Sequence, residues 1–172
     1  MTIQRACRKH PSDLYIKCVV LSSFRADFTY LRNVYRLTGI RMHHAESLDE
    51  ADFLLMVTES TVLIVDAAFA DGSWQTALTL LSDRYPLVAT LVIANPADRP
   101  FLKDLFSRGA CGVIWKPFQF GTVRRMIRAV HGASKERHAL LEEALSGLGD
   151  SGAETSIGRF KERALRAWRG EA

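Results

Sequence analysis

Cysteine is scarce in this chain. There are three in 172 residues, Cys7, Cys18 and Cys111, with no Cys-x-x-Cys pair. An odd, scattered set of that kind excludes a disulfide framework and a structural zinc site. It suits a reducing compartment, so a cytoplasmic setting is expected. Long apolar runs are also missing: no window approaches the ~20 residues of a membrane span, and no membrane partner is expected. Near the start, Arg5, Arg8 and Lys9 are followed by Pro11, Ser12 and Asp13 rather than by an apolar stretch, so no secretory signal is expected. The chain has no Gly-x-x-x-x-Gly-Lys phosphate loop and no Gly-x-Ser-x-Gly nucleophile elbow. Neither an enzyme nor a small-molecule substrate is expected from it.

What is present is an ordinary globular composition, 48% hydrophobic and 24% charged, enough to build a core without staples. The net charge of +4 and pI near 9.1 permit contact with nucleic acid without demanding it. Apolar runs that read as strands recur at Tyr15–Leu21, Arg41–Ala45, Thr61–Asp66, Leu87–Ala94 and Gly112–Trp115. Between them lie helical patterns at Asp27–Thr38, from the capping signature Ser47-Leu48-Asp49-Glu50 to about Val57, from Ser73 to Arg84, and at Arg99–Arg108; a fifth opens near Phe120. Within the capping signature, Glu50 is expected to reach back to Ser47. Strands apolar on both faces, alternating with helices, predict a doubly wound parallel α/β domain over residues 15–131. A basic tail (1–14) precedes it, a helical extension (132–149) follows, and the last segment (150–172) joins a glycine-rich link to a short basic amphipathic helix.

Two strand ends carry the chemistry. Asp66 closes the third strand, and Gly109-Ala110 leads into a fifth strand that ends in Lys116-Pro117-Phe118. In open α/β sheets, ligands bind at that carboxyl edge. Together these features resemble the receiver domain of bacterial response regulators, over roughly two thirds of the chain. The resemblance implies a flavodoxin-like, five-stranded fold, a cis Lys116–Pro117 bond, a place in two-component or phosphorelay signalling, and a phospho-acceptor role for the position of Asp66. Lys116 takes the place of the family's site lysine.

The resemblance also shows what has been replaced. The family's acidic pair after the first strand, which holds magnesium, falls on Ser22 and Ser23. A unit charge ~4 Å from a cation is worth about 4 kcal/mol at an effective dielectric of 20, so magnesium binding is expected to be weak or absent and no cofactor is expected. The family's phosphoryl-binding hydroxyl falls on Ala94, which forgoes a charged hydrogen bond of about 1.5–3 kcal/mol. Its switch aromatic falls on Val113. Asp27, expected to point from the first helix, is a poor substitute for that pair, and Lys116 is expected to be the main partner of Asp66, so Asp66 is read as an inactive phospho-acceptor. The chain is therefore expected to be a degenerate receiver, a pseudo-receiver acting as a phosphorylation-independent protein-interaction module. Docking or self-association would use the family's fourth-helix to fifth-helix face, extended by Leu141, Leu145 and Leu148.

Other candidates carry less. His43 and His44 point to opposite faces of a short strand and read as an edge-strand surface pair. His131 and His138 share a helix face with no carboxylate or thiol to complete a metal site, and Asp66-Ala67-Ala68 lacks the second aspartate of strand-end phosphohydrolases. Trp74 is expected near the Asp66 mouth, covering it in part, and Trp115 is expected in the core. In the terminal helix, Ile157, Phe160 and Trp168 line one face and cations including Arg163 and Arg166 the other. That helix supports a second reading, a transcription or antitermination regulator touching nucleic acid. A third is an atypical response regulator that accepts phosphate on Asp66.

Overall fold

A computed structural model describes residues 15–102 and 104–146. The tail at 1–14 and the terminal candidates Leu148, Ile157, Phe160, Arg163, Arg166 and Trp168 lie outside the described residues. The chain divides into two compact units, the second beginning at Lys135.

In chain order the elements are β1 (Ile16–Leu21), α1 (Arg25–Tyr35), β2 (Ile40–Ala45), α2 (Leu48–Thr58), β3 (Val62–Asp66), β4 (Ala68–Phe69), β5 (Gly72–Ser73), α3 (Trp74–Arg84), β6 (Ala89–Ala94), β7 (Ala110–Trp115) and α4 (Phe120–Ser146). Short 3-10 turns follow α1 at Arg36–Thr38 and β6 at Pro96–Leu102. Five strands form one parallel sheet in the order β2-β1-β3-β6-β7, and β4 and β5 make a small antiparallel ladder beside it. This is the flavodoxin-like, receiver-like order expected from the sequence.

The period of two along each strand sorts side chains into two cores. Val19, Leu21, Leu63, Val65 and Val92 pack with Ala51 and Leu55 of α2 and with Trp74, Ala77, Leu78 and Leu81 of α3. Cys18, Val20, Val62, Ile64, Leu91 and Ile93 face the other way, onto Phe28, Leu31 and Tyr35 of α1 and Val123 and Ile127 of α4. Each fully buried aliphatic side chain contributes about 1.5–3 kcal/mol. The sheet is thus covered on both faces, and its C-terminal edge is left for the site.

Three expectations need correction. The predicted Arg99–Arg108 helix is a 3-10 turn at Pro96–Leu102 followed by hydrogen-bonded turns. Pro100 sits inside that segment, removes a donor and disfavours a helical conformation at Arg99. The first helix begins at Arg25, not Asp27. Ser47 caps α2 by accepting from Glu50 N, but the Glu50 carboxylate takes Glu46 N rather than Ser47 N. Gly132-Ala133-Ser134 is absorbed into α4, where the buried Ser134 hydroxyl donates to Leu87 O.

Candidate functional site

The ends of β1, β3 and β7 and the first turn of α1 meet at the carboxyl edge of the sheet. Asp66, the last residue of β3, is 5% exposed. Its Oδ2 accepts from the Ser22 hydroxyl at 3.0 Å and from Lys116 Nζ at 3.3 Å. The shorter contact of Lys116 is to Asp27, with Nζ 2.7 Å from Oδ2. One ammonium therefore bridges two carboxylates. Burial pulls the Lys116 ammonium down, but the hydrogen bond to Asp27 and the charges of Asp66 and Asp27 outweigh it, leaving Lys116 above its ordinary 10.5.

Lys116 is the ion-pair partner of Asp66, and Asp27, read from the sequence only as a poor substitute for the missing acidic pair, shares that ammonium. Asp27 lies in the first turn of α1. A carboxylate is favoured at that position by the helix dipole, and there it lies against Lys116. Phe24, at the N-cap of α1, adds its ring face, 5.0 Å from Lys116 Nζ; cation–π contacts of this kind contribute modestly at partly exposed sites.

Ser22 is buried and fully engaged. Its hydroxyl donates to Asp66 and accepts from Phe24 N at 3.0 Å, while its backbone N donates to Ala45 O and its carbonyl accepts from His44 Nε2 at 2.8 Å. His44 is not the surface residue expected: its ring stacks on Phe28 at 4.6 Å, and Nδ1 lies 3.8 Å from Glu46. Ser23 is exposed. Ala94 is buried and accepts the backbone N–H of Lys116 through its carbonyl. Val113 and Trp115 are half-buried against the α2–α3 core, and Arg99 lies 5.2 Å over the Trp115 ring. Trp74 is buried in the same core, its backbone N donating to Ala67 O beside Asp66. The Lys116–Pro117 bond is cis.

The donor set does not fit a resident magnesium ion. Magnesium takes hard oxygen ligands in a near-octahedral set. Here the two carboxylates are already joined by an ammonium, and both hydrogen-bonding roles of the Ser22 hydroxyl are in use. Among the described residues no group of three or more acidic, histidine or cysteine side chains could hold a metal. His131 Nδ1 is 2.7 Å from the Thr61 hydroxyl, and His138 is exposed. A Gly-x-Gly-x-x-Gly spacing does occur, at Gly147, Gly149 and Gly152. It follows a helix rather than the strand that a dinucleotide site requires, and it lies outside the described residues. Among the described residues no helix is long and apolar enough to cross a membrane.

No protein-family model matches the chain, and no curated protein matches it. Solved structures do. A response regulator receiver domain protein from Clostridium thermocellum superposes with a TM-score of 0.63 at 18% identity, covering 69% of this chain and 96% of that one. The signal receiver domain of an HD domain-containing protein from Pseudomonas fluorescens Pf-5 gives 0.66 at 15%, covering 73% and 93%. A structure described as an adenylate cyclase from Rhodopirellula baltica gives 0.65 at 14%, covering 75% and 98%. At these identities the likeness establishes a receiver-like fold.

Proposed function

We propose that this chain is a pseudo-receiver: a signalling module of the two-component type that acts through protein contacts and without phosphorylation of Asp66. The observation that carries this reading is the Lys116 ammonium between Asp27 and Asp66, with the Ser22 hydroxyl on the same Asp66 oxygen. Phosphoryl transfer to a carboxylate needs a cation that neutralises both the nucleophile and the incoming group. In this site the charge of Asp66 is answered from within the protein, Ala94 offers no hydroxyl to a phosphoryl oxygen, and Val113 offers no aromatic ring to swing. Protein contact, with a partner or a second copy, is supported by the exposed Leu140 and Leu141 on α4. No catalysis of its own belongs to this role.

The test is intact-mass measurement after incubation with acetyl phosphate and millimolar magnesium. The expected result is no adduct. A phosphoryl adduct that disappears in Asp66→Ala overturns the proposal and establishes the phospho-accepting alternative. The terminal-helix residues of the nucleic-acid reading, Arg163 and Arg166 among them, lie outside the described residues.

A further inference from the structure

The two faces of the sheet carry opposite charge. On the α2–α3 side the helices carry Asp49, Glu50, Asp52 and Asp83, with Arg84 committed to Asp52 at 2.6 Å. On the α1–α4 side there is no acidic residue from Phe28 to Arg41 or from Phe120 to Ser134. Apart from Arg41, which lies over the Tyr15 ring, those two stretches contribute Arg32, Arg36, Arg124, Arg125 and Arg128, all exposed. Among the described residues none of the five forms an ion pair with a carboxylate. The only acidic residue of α1, Asp27, is held by Lys116 at 2.7 Å.

The two stretches are fastened together. Tyr35 Oη donates to Phe120 O at 3.0 Å, and the two rings stack at 5.1 Å. Arg128 donates to Thr38 O at 3.0 Å. Tyr30 stacks on Phe118 at 6.2 Å. This leaves Tyr30 50% exposed and Phe120 39% exposed among the arginines.

We infer that the α1–α4 face binds single-stranded nucleic acid, with Arg32, Arg36, Arg124 and Arg125 on its phosphates and Tyr30 and Phe120 offered to its bases. Unanswered like charges add nothing to the fold and are relieved by a polyanion. Every cation of the patch is an arginine, whose planar fork matches phosphate oxygens two at a time. Exposed rings beside a cationic track are the elements of single-strand recognition, where bases stack regardless of sequence. An anionic lipid surface would call for a continuous apolar face to insert, whereas Tyr30 and Phe120 are two separate rings, each stacked on a second ring of the protein. The site is separate from the Asp66 cluster and does not depend on how that cluster is read.

The experiment is fluorescence anisotropy of the full chain with labelled 20-nucleotide single-stranded DNA and RNA between 50 and 200 mM salt. Neutralising four phosphates gives a salt slope of about −2.8 on logarithmic axes, so affinity falls about 50-fold across that range. The triple variant Arg32→Gln/Arg124→Gln/Arg125→Gln should lower the slope by about 2, with circular dichroism confirming that it folds. Tyr30→Ala should weaken binding with the slope unchanged. Absence of binding at 50 mM salt overturns the inference. So does binding that survives the triple variant but is lost in Arg159→Gln/Arg163→Gln/Arg166→Gln, which would assign it to the terminal segment. Binding to vesicles containing phosphatidylserine without binding to either nucleic acid overturns it in favour of a membrane. Salt-sensitive self-association abolished by the triple variant, again without nucleic-acid binding, overturns it in favour of pairing with the acidic face of a second copy.

Discussion

Lys116 stands between two carboxylates, so the three residues do not contribute equally. Removing Lys116 leaves Asp27 and Asp66 facing each other with no cation, whereas removing Asp66 leaves Lys116 still paired at 2.7 Å. Lys116→Met is therefore expected to cost about 3 kcal/mol, the low end for breaking a buried pair because Asp27 is partly solvated. Asp66→Asn should cost about 1 kcal/mol, since an amide can still accept from Ser22 and Lys116. Urea denaturation checks the order, and equal costs would refute the bridging role. The raised Lys116 value also has a sign: its stabilisation is whole through neutral pH and is lost only in alkali, as pH rises past 10.5 and through the folded value. His43 works oppositely. Burial, then Lys17 and Arg41, hold its imidazole below the ordinary 6.5. The folded chain resists protonating it, so stability present above pH 6.5 is lost as pH falls from there. His43→Gln should flatten the thermal midpoint between pH 7 and 5; an unchanged slope would remove His43 as the cause. Of this cluster, Asp66 and Lys116 were legible because they terminate strands whose apolar runs mark their own ends. Asp27 and His44 were not, because their directions depend on helix phase and on a ring stack across α1 and β2.

Glycine has opposite effects in two elements of this fold. Gly109 precedes β7 with φ +96°, and no atom lies within 4 Å of where a Cβ would stand. The obstacle to a side chain there is backbone conformation alone, so Gly109→Ala should destabilise by about 1–2 kcal/mol. Gly132 lies within α4, also with nothing within 4 Å of a built Cβ. There Gly132→Ala should stabilise by about 0.5–1 kcal/mol by restricting the unfolded chain and improving helix propensity. Thermal denaturation of the two single variants checks the signs; matching signs would contradict the backbone assignments. The same physics explains which elements could be read in advance. Strands buried on both faces are written as apolar runs, and all five sheet strands appear within about two residues of their pattern limits. The segment after β6 departs from its pattern because its apolar spacing suggests a helix while Pro96 and Pro100 limit it to a 3-10 turn. The pattern does not decide whether α4 continues through Gly132, since glycine signals both an end and a tolerated interior.

The first unit, as far as it is described, is a sheet between unlike charge layers. Layering follows from apolar patterning and strand order from the family resemblance, but the polarity of the faces follows from neither, since it requires knowing which side chains each helix turns outward. Its consequence for stability is a salt dependence opposite to that of a protein held by surface ion pairs. Arg32 and Arg36, and likewise Arg124 and Arg128, are four residues apart, while Arg125 and Arg128 are three apart. Like charges at those helical spacings each cost about 0.2–0.5 kcal/mol, about 1 kcal/mol together. Screening shortens the Debye length from roughly 14 Å at 50 mM to roughly 4 Å at 500 mM and removes most of that cost. The exposed Arg25–Glu46 pair, at 2.6 Å, loses attraction over the same range but contributes little in open solvent. The thermal midpoint should therefore rise between 50 and 500 mM sodium chloride, by about 4 °C for a unit of this size. Arg32→Gln/Arg124→Gln/Arg125→Gln breaks all three repulsive pairs, so it should start higher at 50 mM and show little further rise. A midpoint that falls with salt in the parent chain, or rises equally in both, would mean that the arginines are compensated in solution. In that case the α1–α4 face would not be electrostatically open.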